Sequence, residues 1–247
     1  MFNFFVDSSA VLGDRIYIGG ADYNHLKNVL RMRIGDTFLA SCAGNSHLCR
    51  LEKFENDSAV CKIIGENYNN TELPIKIYLF QGLPKSDKME FIIQKAVELG
   101  VYKVIPTEME HCVVKLDDKK KTAKQTRWQA ISESAAKQSK RNIIPEVASC
   151  LSYKQALEFA QTLDLLLVPY ESADGMAATK EALRKIKSGM SVGIIIGAEG
   201  GFSQAEIEAA KNIGGEIISL GKRILRTETA AVTALSMCML YSETEIN

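Results

Sequence analysis

The residues best suited to chemistry lie in two short segments near the end of the chain. Gly197-Ala198-Glu199-Gly200-Gly201 follows the apolar run Ile194-Ile195-Ile196. Arg223-Ile224-Leu225-Arg226-Thr227-Glu228-Thr229 follows Leu220-Gly221-Lys222. Each reads as a buried strand that runs into a tight loop and then a helix. Glycines remove Cβ atoms, so a ligand can touch the backbone and the chain can take positive φ. Arg223 and Arg226 offer rigid forks of donors for a phosphate or a base edge. Ile224 and Leu225 offer an apolar face to a flat ring. Glu228, near a helix start, is stabilised as the anion. Glu199 either accepts a ligand hydrogen bond or closes its own loop. The plainer alternatives are an ordinary turn before a capped helix, and a helix cap with an Arg–Glu ion pair.

Other chemistries lack their residues. There is no Gly-x-Gly-x-x-Gly at a first strand–helix turn and no Gly-Lys-Ser/Thr phosphate loop. No Gly-x-Ser-x-Gly elbow is present. His25, His47 and His111 lie far apart, and the six cysteines (42, 49, 61, 112, 150 and 238) form no Cys-x-x-Cys pair. A metal site and a disulfide scaffold are both disfavoured, and reduced thiols in a cytoplasmic protein are expected. The first ten residues have no basic start and hold Asp7, unlike a secretory signal. No run reaches the roughly 18 apolar residues of a membrane span.

The formal net charge of the 247 residues is zero, which argues against a nonspecific nucleic-acid coat. From Lys115 to Arg141, however, nine basic residues face three acidic ones. Such a cluster suits local phosphate contacts; the plain alternative is a solvated loop and a charged helix face. Trp128, the only tryptophan, reads as an anchor for that helix.

The elements that must position these groups fall into two parts. Residues 1–72 show short alternating runs punctuated by Gly13-Asp14, Gly19-Gly20, Gly35-Asp36 and Glu55-Asn56-Asp57, the pattern of a small barrel. One helix, 22 to 32, is expected there, with Leu26, Val29 and Leu30 on one face. Residues 73–247 alternate strands with helices. The strands are expected at 75–80, 101–106, 163–168, 192–196 and 217–220. The helices are expected after Ser86 or Asp87, then at 122–139, 152–162 and 176–187, after a capping box Ser203-Gln204-Ala205-Glu206, and from Thr227 or Thr229 to Tyr241. This is an α/β domain with a mainly parallel sheet. In such a sheet, ligands sit beyond the carboxyl ends of the strands. Pro169-Tyr170-Glu171 and the two segments above occupy that position.

Taken together, these segments resemble the RsmE-type 16S rRNA methyltransferases of the SPOUT superfamily. The resemblance covers essentially the whole chain. It rests on His25-Leu26-Lys27-Asn28-Val29-Leu30-Arg31 with Gly35-Asp36; on Gly82-Leu83-Pro84-Lys85 with Lys88-Met89-Glu90 and Gln94 to Gly100; on Arg127-Trp128; and on Ile196 to Gly201 and Leu220 to Ala231. Ala198 stands where the family usually has proline. The resemblance implies a PUA-like barrel followed by a SPOUT domain with a C-terminal trefoil knot, acting as a homodimer. It implies S-adenosylmethionine as cofactor and methylation of N3 of the uridine at position 1498 of 16S rRNA in the small ribosomal subunit. The implied cofactor residues are Leu167, Val168, Pro169, Gly197, Glu199, Gly200, Gly201, Leu220, Gly221, Ile224 and Leu225. Arg226 would sit between cofactor and base, stabilising charge on the base oxygens. Glu228, Glu199 or water would take the N3 proton, and the sequence does not choose among them. His25, Lys27, Arg31, Arg33, Lys85, Lys119, Lys120, Lys121 and Arg127 would hold RNA.

Overall fold

Alternating apolar residues and glycine turns give the first part of the chain its sheet. The computed structural model describes residues 1–171 and 175–246. They fall into two compact units: Met1–Glu72 together with Ala136–Ile144, and Leu73–Ala135 together with the chain from Pro145 onward.

In the first unit the strands are β1 (Asn3–Phe5), β2 (Val11–Leu12), β3 (Arg15–Gly19), β4 (Thr37–Cys42), β5 (Asn45–Glu55) and β6 (Ser58–Gly65), in the order β1-β4-β5-β6-β3-β2. All pairs are antiparallel except β1 with β4. This is a PUA-like half-barrel. Phe4, Ile16, Ile18, Leu26, Phe38 and Leu51 fill its core.

The expected helix at 22–32 is observed as α1 (Gly20–Asn24) followed by a π-helical turn, His25–Val29. Leu30 N–H reaches the His25 carbonyl at 2.9 Å, five residues back. That wider register rotates Val29 out of the expected face, leaving it 61% exposed while Leu26 is fully buried.

The segment 136–144 belongs to this first unit, which the boundary at residue 72 did not anticipate. The buried Arg141 guanidinium donates from Nε to Glu72 Oε1 at 2.9 Å, and Asn142 N–H reaches the same oxygen at 2.8 Å. The Asn3 side chain donates to the Arg141 carbonyl. Arg141 is thus a structural cation inside the unit and no part of a basic surface.

The second unit is built on a parallel sheet. Its strands are β7 (Lys76–Gly82), β8 (Val101–Glu108), β9 (Glu146–Val147), β10 (Leu151–Ser152), β11 (Leu165–Pro169), β12 (Ser191–Ile196) and β13 (Glu216–Ile218). The order is β10-β8-β7-β12-β11-β13, with β9 also on β8. Residues 192–196 of β12 are all buried, as in a sheet covered on both faces. Its helices are α2 (Lys88–Glu98), α3 (Asp118–Ser139, whose last turn counts with the first unit), α4 (Tyr153–Ala160), α5 (Met176–Arg184), α6 (Gln204–Asn212) and α7 (Thr227–Glu245). Ser203 and Glu206 form the expected capping box, each side chain bonded to the other's backbone N–H. Gly100, at φ +89°, takes the left-handed position that ends α2.

The strand β13 is shorter than expected because Thr179 of α5 captures the next residue. Its hydroxyl donates to the Ser219 carbonyl and accepts from Ser219 N–H, at 2.8 and 2.9 Å. The chain then returns from the sheet edge to the central strand β12. This order and return are consistent with the knotted α/β architecture, an exception to the rule that chains do not thread themselves.

Candidate active site

Because β11, β12 and β13 are parallel, their carboxyl ends and following loops lie on one side. Those loops and the start of α7 enclose a cavity of about 590 Å³. One wall is the glycine loop, residues 197–201. The other is the returning segment 219–226. Pro169, Tyr170 and Glu171 complete it.

Close backbone packing explains the glycines. The Gly201 N–H closes on the Ala198 carbonyl at 2.9 Å, with Gly201 at φ +69°. A Cβ at Gly82 would lie 2.6 Å from the Ala198 nitrogen. A Cβ at Gly200 would lie 2.7 Å from the Cβ of His111. The missing side chain at 200 makes room for His111, whose Nδ1 lies 3.0 Å from the Gly200 carbonyl, and Gly200 also lines the cavity. The His111 segment is itself held: Glu206 accepts from Glu110 N–H at 2.9 Å.

Three neighbouring elements are tied at the floor. Gln81, at the end of β7, is fully buried and donates from Nε2 to the Thr227 hydroxyl at 2.9 Å. Thr227 in turn donates to the Gly197 carbonyl at 2.6 Å.

Three charged groups then meet beside the glycine loop. Glu199 Oε1 accepts from Lys85 N–H at 3.0 Å and from Lys88 Nζ at 3.1 Å. Burial pushes the Glu199 pKa up, but these donors outweigh it and hold the carboxyl below its ordinary value. Glu199 therefore ties the glycine loop to the segment that leads into α2. Lys88 Nζ also lies 3.5 Å from Glu228 Oε2. Its own pKa is raised, first by the hydrogen bond to Glu199. The alternative, an Arg–Glu pair within the 223–229 segment, is not formed among the described residues. Arg226 is exposed, lines the cavity and makes no ion pair among the described residues.

The structure brings together most of the expected site. Pro169, Gly197, Glu199, Gly200, Gly201, Leu220, Gly221, Ile224, Leu225 and Arg226 all line the cavity. Leu167 and Val168 do not: both are buried inside β11. Glu228 does not line it either, and its Oε2 is buried behind the wall. Sequence reasoning placed Tyr170 and Thr227 in the right loops without giving them a role, and it missed Lys88 and Phe202; the Tyr170 and Phe202 rings stand edge to face at 6.4 Å. Phe202 adjoins the glycine loop, which was a usable signal. Lys88 meets its partners across more than a hundred residues, which left none.

The candidate RNA contacts are less free than their charges suggest. Lys120 pairs with Asp117, Lys121 with Glu108, and Arg127 with Glu90. Lys137 pairs with Asp22 within the first unit. Lys85 and Lys119 are exposed. In the first unit, Lys27 donates to the Tyr23 hydroxyl and lies over the Tyr23 and Phe54 rings. His25 stands edge-on to Phe4. Arg31 and Arg33 are exposed and make no ion pair among the described residues, with Arg31 at φ 52°. Trp128 is buried and anchors α3.

Burial pushes the Cys49, Cys61, Cys150 and Cys238 thiols up to about 12, so they stay protonated and unreactive near neutral pH. Among the described residues no group of three or more His, Cys, Asp or Glu is placed to hold a metal ion, and no helix is long and apolar enough to cross a membrane.

A parallel α/β sheet with a ligand pocket at its carboxyl end, in a chain that also carries a PUA-like half-barrel, defines the class. The RNA methyltransferase domain family matches residues 71–239, and the RNA methyltransferase PUA domain family matches residues 18–64. The ribosomal RNA small subunit methyltransferase E of Bacillus subtilis is 40% identical over 230 residues, covering 92% of this chain and 90% of that protein. The protein of the same name from Mesomycoplasma hyopneumoniae is 34% identical, covering 97% and 99%. The chain belongs to the ribosomal RNA small subunit methyltransferase E family. A crystal structure of the Neisseria gonorrhoeae member, bound to S-adenosyl methionine, superimposes with a TM-score of 0.81 at 30% identity, covering 97% of each chain.

Proposed function

We propose that this protein transfers a methyl group from S-adenosylmethionine to N3 of one uridine, position 1498, in 16S rRNA of the small ribosomal subunit. The observation that carries this reading is the cavity between the glycine loop and the 219–226 segment, in a chain of this family. The cavity fits the cofactor. Its volume lies within the roughly 300–1,000 Å³ of small-molecule sites. Ile224, 85% exposed at its edge, offers apolar surface that no protein group covers. Gly221, at φ +112°, leaves open space where a Cβ would stand.

When bound, S-adenosylmethionine supplies a methyl group already activated by its sulfonium. The chain's own part is to position and to manage charge. Arg226, exposed at the cavity with no carboxylate partner, is the catalytic residue: its guanidinium meets the negative charge that develops on the uracil oxygens as N3 loses its proton. Glu199 is engaged by two donors and its pKa is lowered, so it is a poor base. Glu228 is behind the wall. The N3 proton therefore goes to water or hydroxide, and Glu228 acts through Lys88.

Arg31, Arg33, Lys27 and His25 of the half-barrel, with Lys85, Lys119, Lys120, Lys121 and Arg127 of the second unit, are assigned to RNA. The exposed, unpaired Arg31 and Arg33 carry most of this. The enzyme works in the cytoplasm as a homodimer. In support, α2 and α7 pack on each other and leave Phe91 and Leu240 exposed; sedimentation of the purified protein tests the dimer.

The substrate is the assembled subunit, which presents separated contacts together and so loses less entropy on binding. Methyl incorporation into intact subunits and into deproteinised rRNA, at equal concentration, tests this. Intact subunits are expected to react faster; equal or faster reaction on naked rRNA rejects the substrate form.

A further inference from the structure

A lysine opens α2, where the helix macrodipole disfavours a cation. Lys88 nevertheless does not extend into solvent. Its side chain is 33% exposed, and Nζ sits between two carboxylates: Glu199 Oε1 at 3.1 Å and Glu228 Oε2 at 3.5 Å. Glu199 lies in one wall of the cavity, and Glu228 directly follows the other. Glu199 is the middle of the glycine loop that follows β12. Glu228 is the second residue of α7, directly after the 219–226 wall and Thr227.

Each carboxylate depends on this ammonium to a different degree. Glu199 has a second donor, the Lys85 N–H. Glu228 Oε2 is buried with no hydrogen-bond partner, and Lys88 is its ion-pair partner among the described residues. An exposed lysine–glutamate pair holds nothing in place. Here one cation is shared by two carboxylates on separate segments, the more open Glu199 and Glu228, whose Oε2 is buried. Without it, the buried Glu228 Oε2 loses its ion-pair partner and two like charges are left close together.

We propose that Lys88 is a positioning residue that sets the spacing of the two cofactor-pocket walls by holding Glu199 and Glu228 to a single ammonium. This rests on the reading of the cavity as the S-adenosylmethionine site. Lys88 does not transfer a proton: its pKa is raised, and its hydrogen bonds are directed at carboxylates. Loss of the cation lets the glycine loop and the α7 start move apart, and the cavity loses its fit. Because the fault is uncompensated negative charge, removing one of the anions relieves it. A merely structural role would not behave this way, since a second substitution would only add damage.

The test is calorimetric titration of S-adenosylmethionine into wild type, Lys88→Arg, Lys88→Met, Glu228→Gln and the Lys88→Met/Glu228→Gln double variant, with each fold checked by urea unfolding. Lys88→Met is expected to lose about tenfold in affinity, and the double variant to recover a large part of that loss, as interacting sites do. Lys88→Arg should stay within about threefold of wild type, since it keeps the charge. Wild-type affinity in Lys88→Met, or a double variant as weak as or weaker than Lys88→Met, overturns the role. If Lys88→Met fails to fold, the double variant decides alone: a folded protein that binds cofactor supports the role, and an unfolded or non-binding one overturns it. Wild-type protein that binds no S-adenosylmethionine overturns the reading of the cavity, and the role of Lys88 with it. Binding by wild type with no effect of Lys88→Met removes the role alone.

Discussion

The hydroxyl of Thr227 donates to the carbonyl of Gly197 at 2.6 Å, and so fastens the first turn of α7 to the start of the glycine loop. The same oxygen accepts from the buried Gln81 amide. Thr227→Val keeps the shape and removes both bonds, leaving Gln81 Nε2 one partner short in the core. It should cost about 1–3 kcal/mol in denaturant unfolding. Cofactor affinity should fall as well, while Thr227→Ser stays near wild type. A valine variant with unchanged stability and affinity would show that the bond holds nothing.

Gly82 gives the second prediction. It does not line the cavity, yet a Cβ there would meet the Ala198 nitrogen at 2.6 Å. Backbone cannot yield as a side-chain tip does, so Gly82→Ala should displace the glycine loop and weaken cofactor binding severely. At Gly201 there is free space and the strain is conformational alone, so Gly201→Ala should cost about 1–2 kcal/mol of stability. Calorimetry and unfolding on both variants check the contrast. Equal effects on affinity would contradict it.

Much of this was legible beforehand, and the gaps have physical causes. The run Ile194-Ile195-Ile196 and the Ser203–Glu206 box give β12 and α6 by local pattern. The same is true of the glycine loop and the Ile224-Leu225 pair. Val29 was misplaced because a π turn shifts the helix register, and hydrophobic spacing does not report that. Leu167 and Val168 lie one or two residues too far inside β11 to line the cavity, whose lining begins where β11 ends, at Pro169. The neutralising of Lys121 and Arg127 by Glu108 and Glu90 is a matter of tertiary distance, which net charge along the chain does not show, whereas Lys120 pairs locally with Asp117 three residues before it. The assignment of 136–144 to the first unit rests on Arg141 and Glu72, 69 residues apart.

Arg226 gives the third prediction. It lines the cavity, is exposed and makes no side-chain hydrogen bond or ion pair among the described residues. Arg226→Ala should lower single-turnover methyl transfer by about 10²–10³, the loss typical of a removed charge-stabilising donor, with cofactor affinity much less affected. With no protein carboxylate acting as base, the wild-type rate should rise about tenfold per pH unit through neutrality, as N3 is deprotonated more readily. A rate that levels off above pH 5 to 6 would point to a carboxylate base instead. An unchanged single-turnover rate in Arg226→Ala would remove its role.

The fourth prediction separates two basic regions. Arg31→Gln with Arg33→Gln should weaken subunit binding and flatten its salt dependence by about one to two charges, since both side chains are unpaired. Replacing Lys119, Lys120 and Lys121 with glutamine should do less, because two of the three already have carboxylate partners. Binding measured from low to moderate salt checks this. A larger slope change from the lysine triple than from the arginine pair would reverse the assignment.

The central claim is the transfer of a methyl group to one uridine N3 in the small subunit. Subunits that lack the modification, incubated with the protein and S-adenosylmethionine, should gain 3-methyluridine at position 1498 and nowhere else, as read by nucleoside mass spectrometry with the nucleotide mapped. A methyl group on a ribose hydroxyl, on another base, or no transfer by folded protein that binds the cofactor would contradict it.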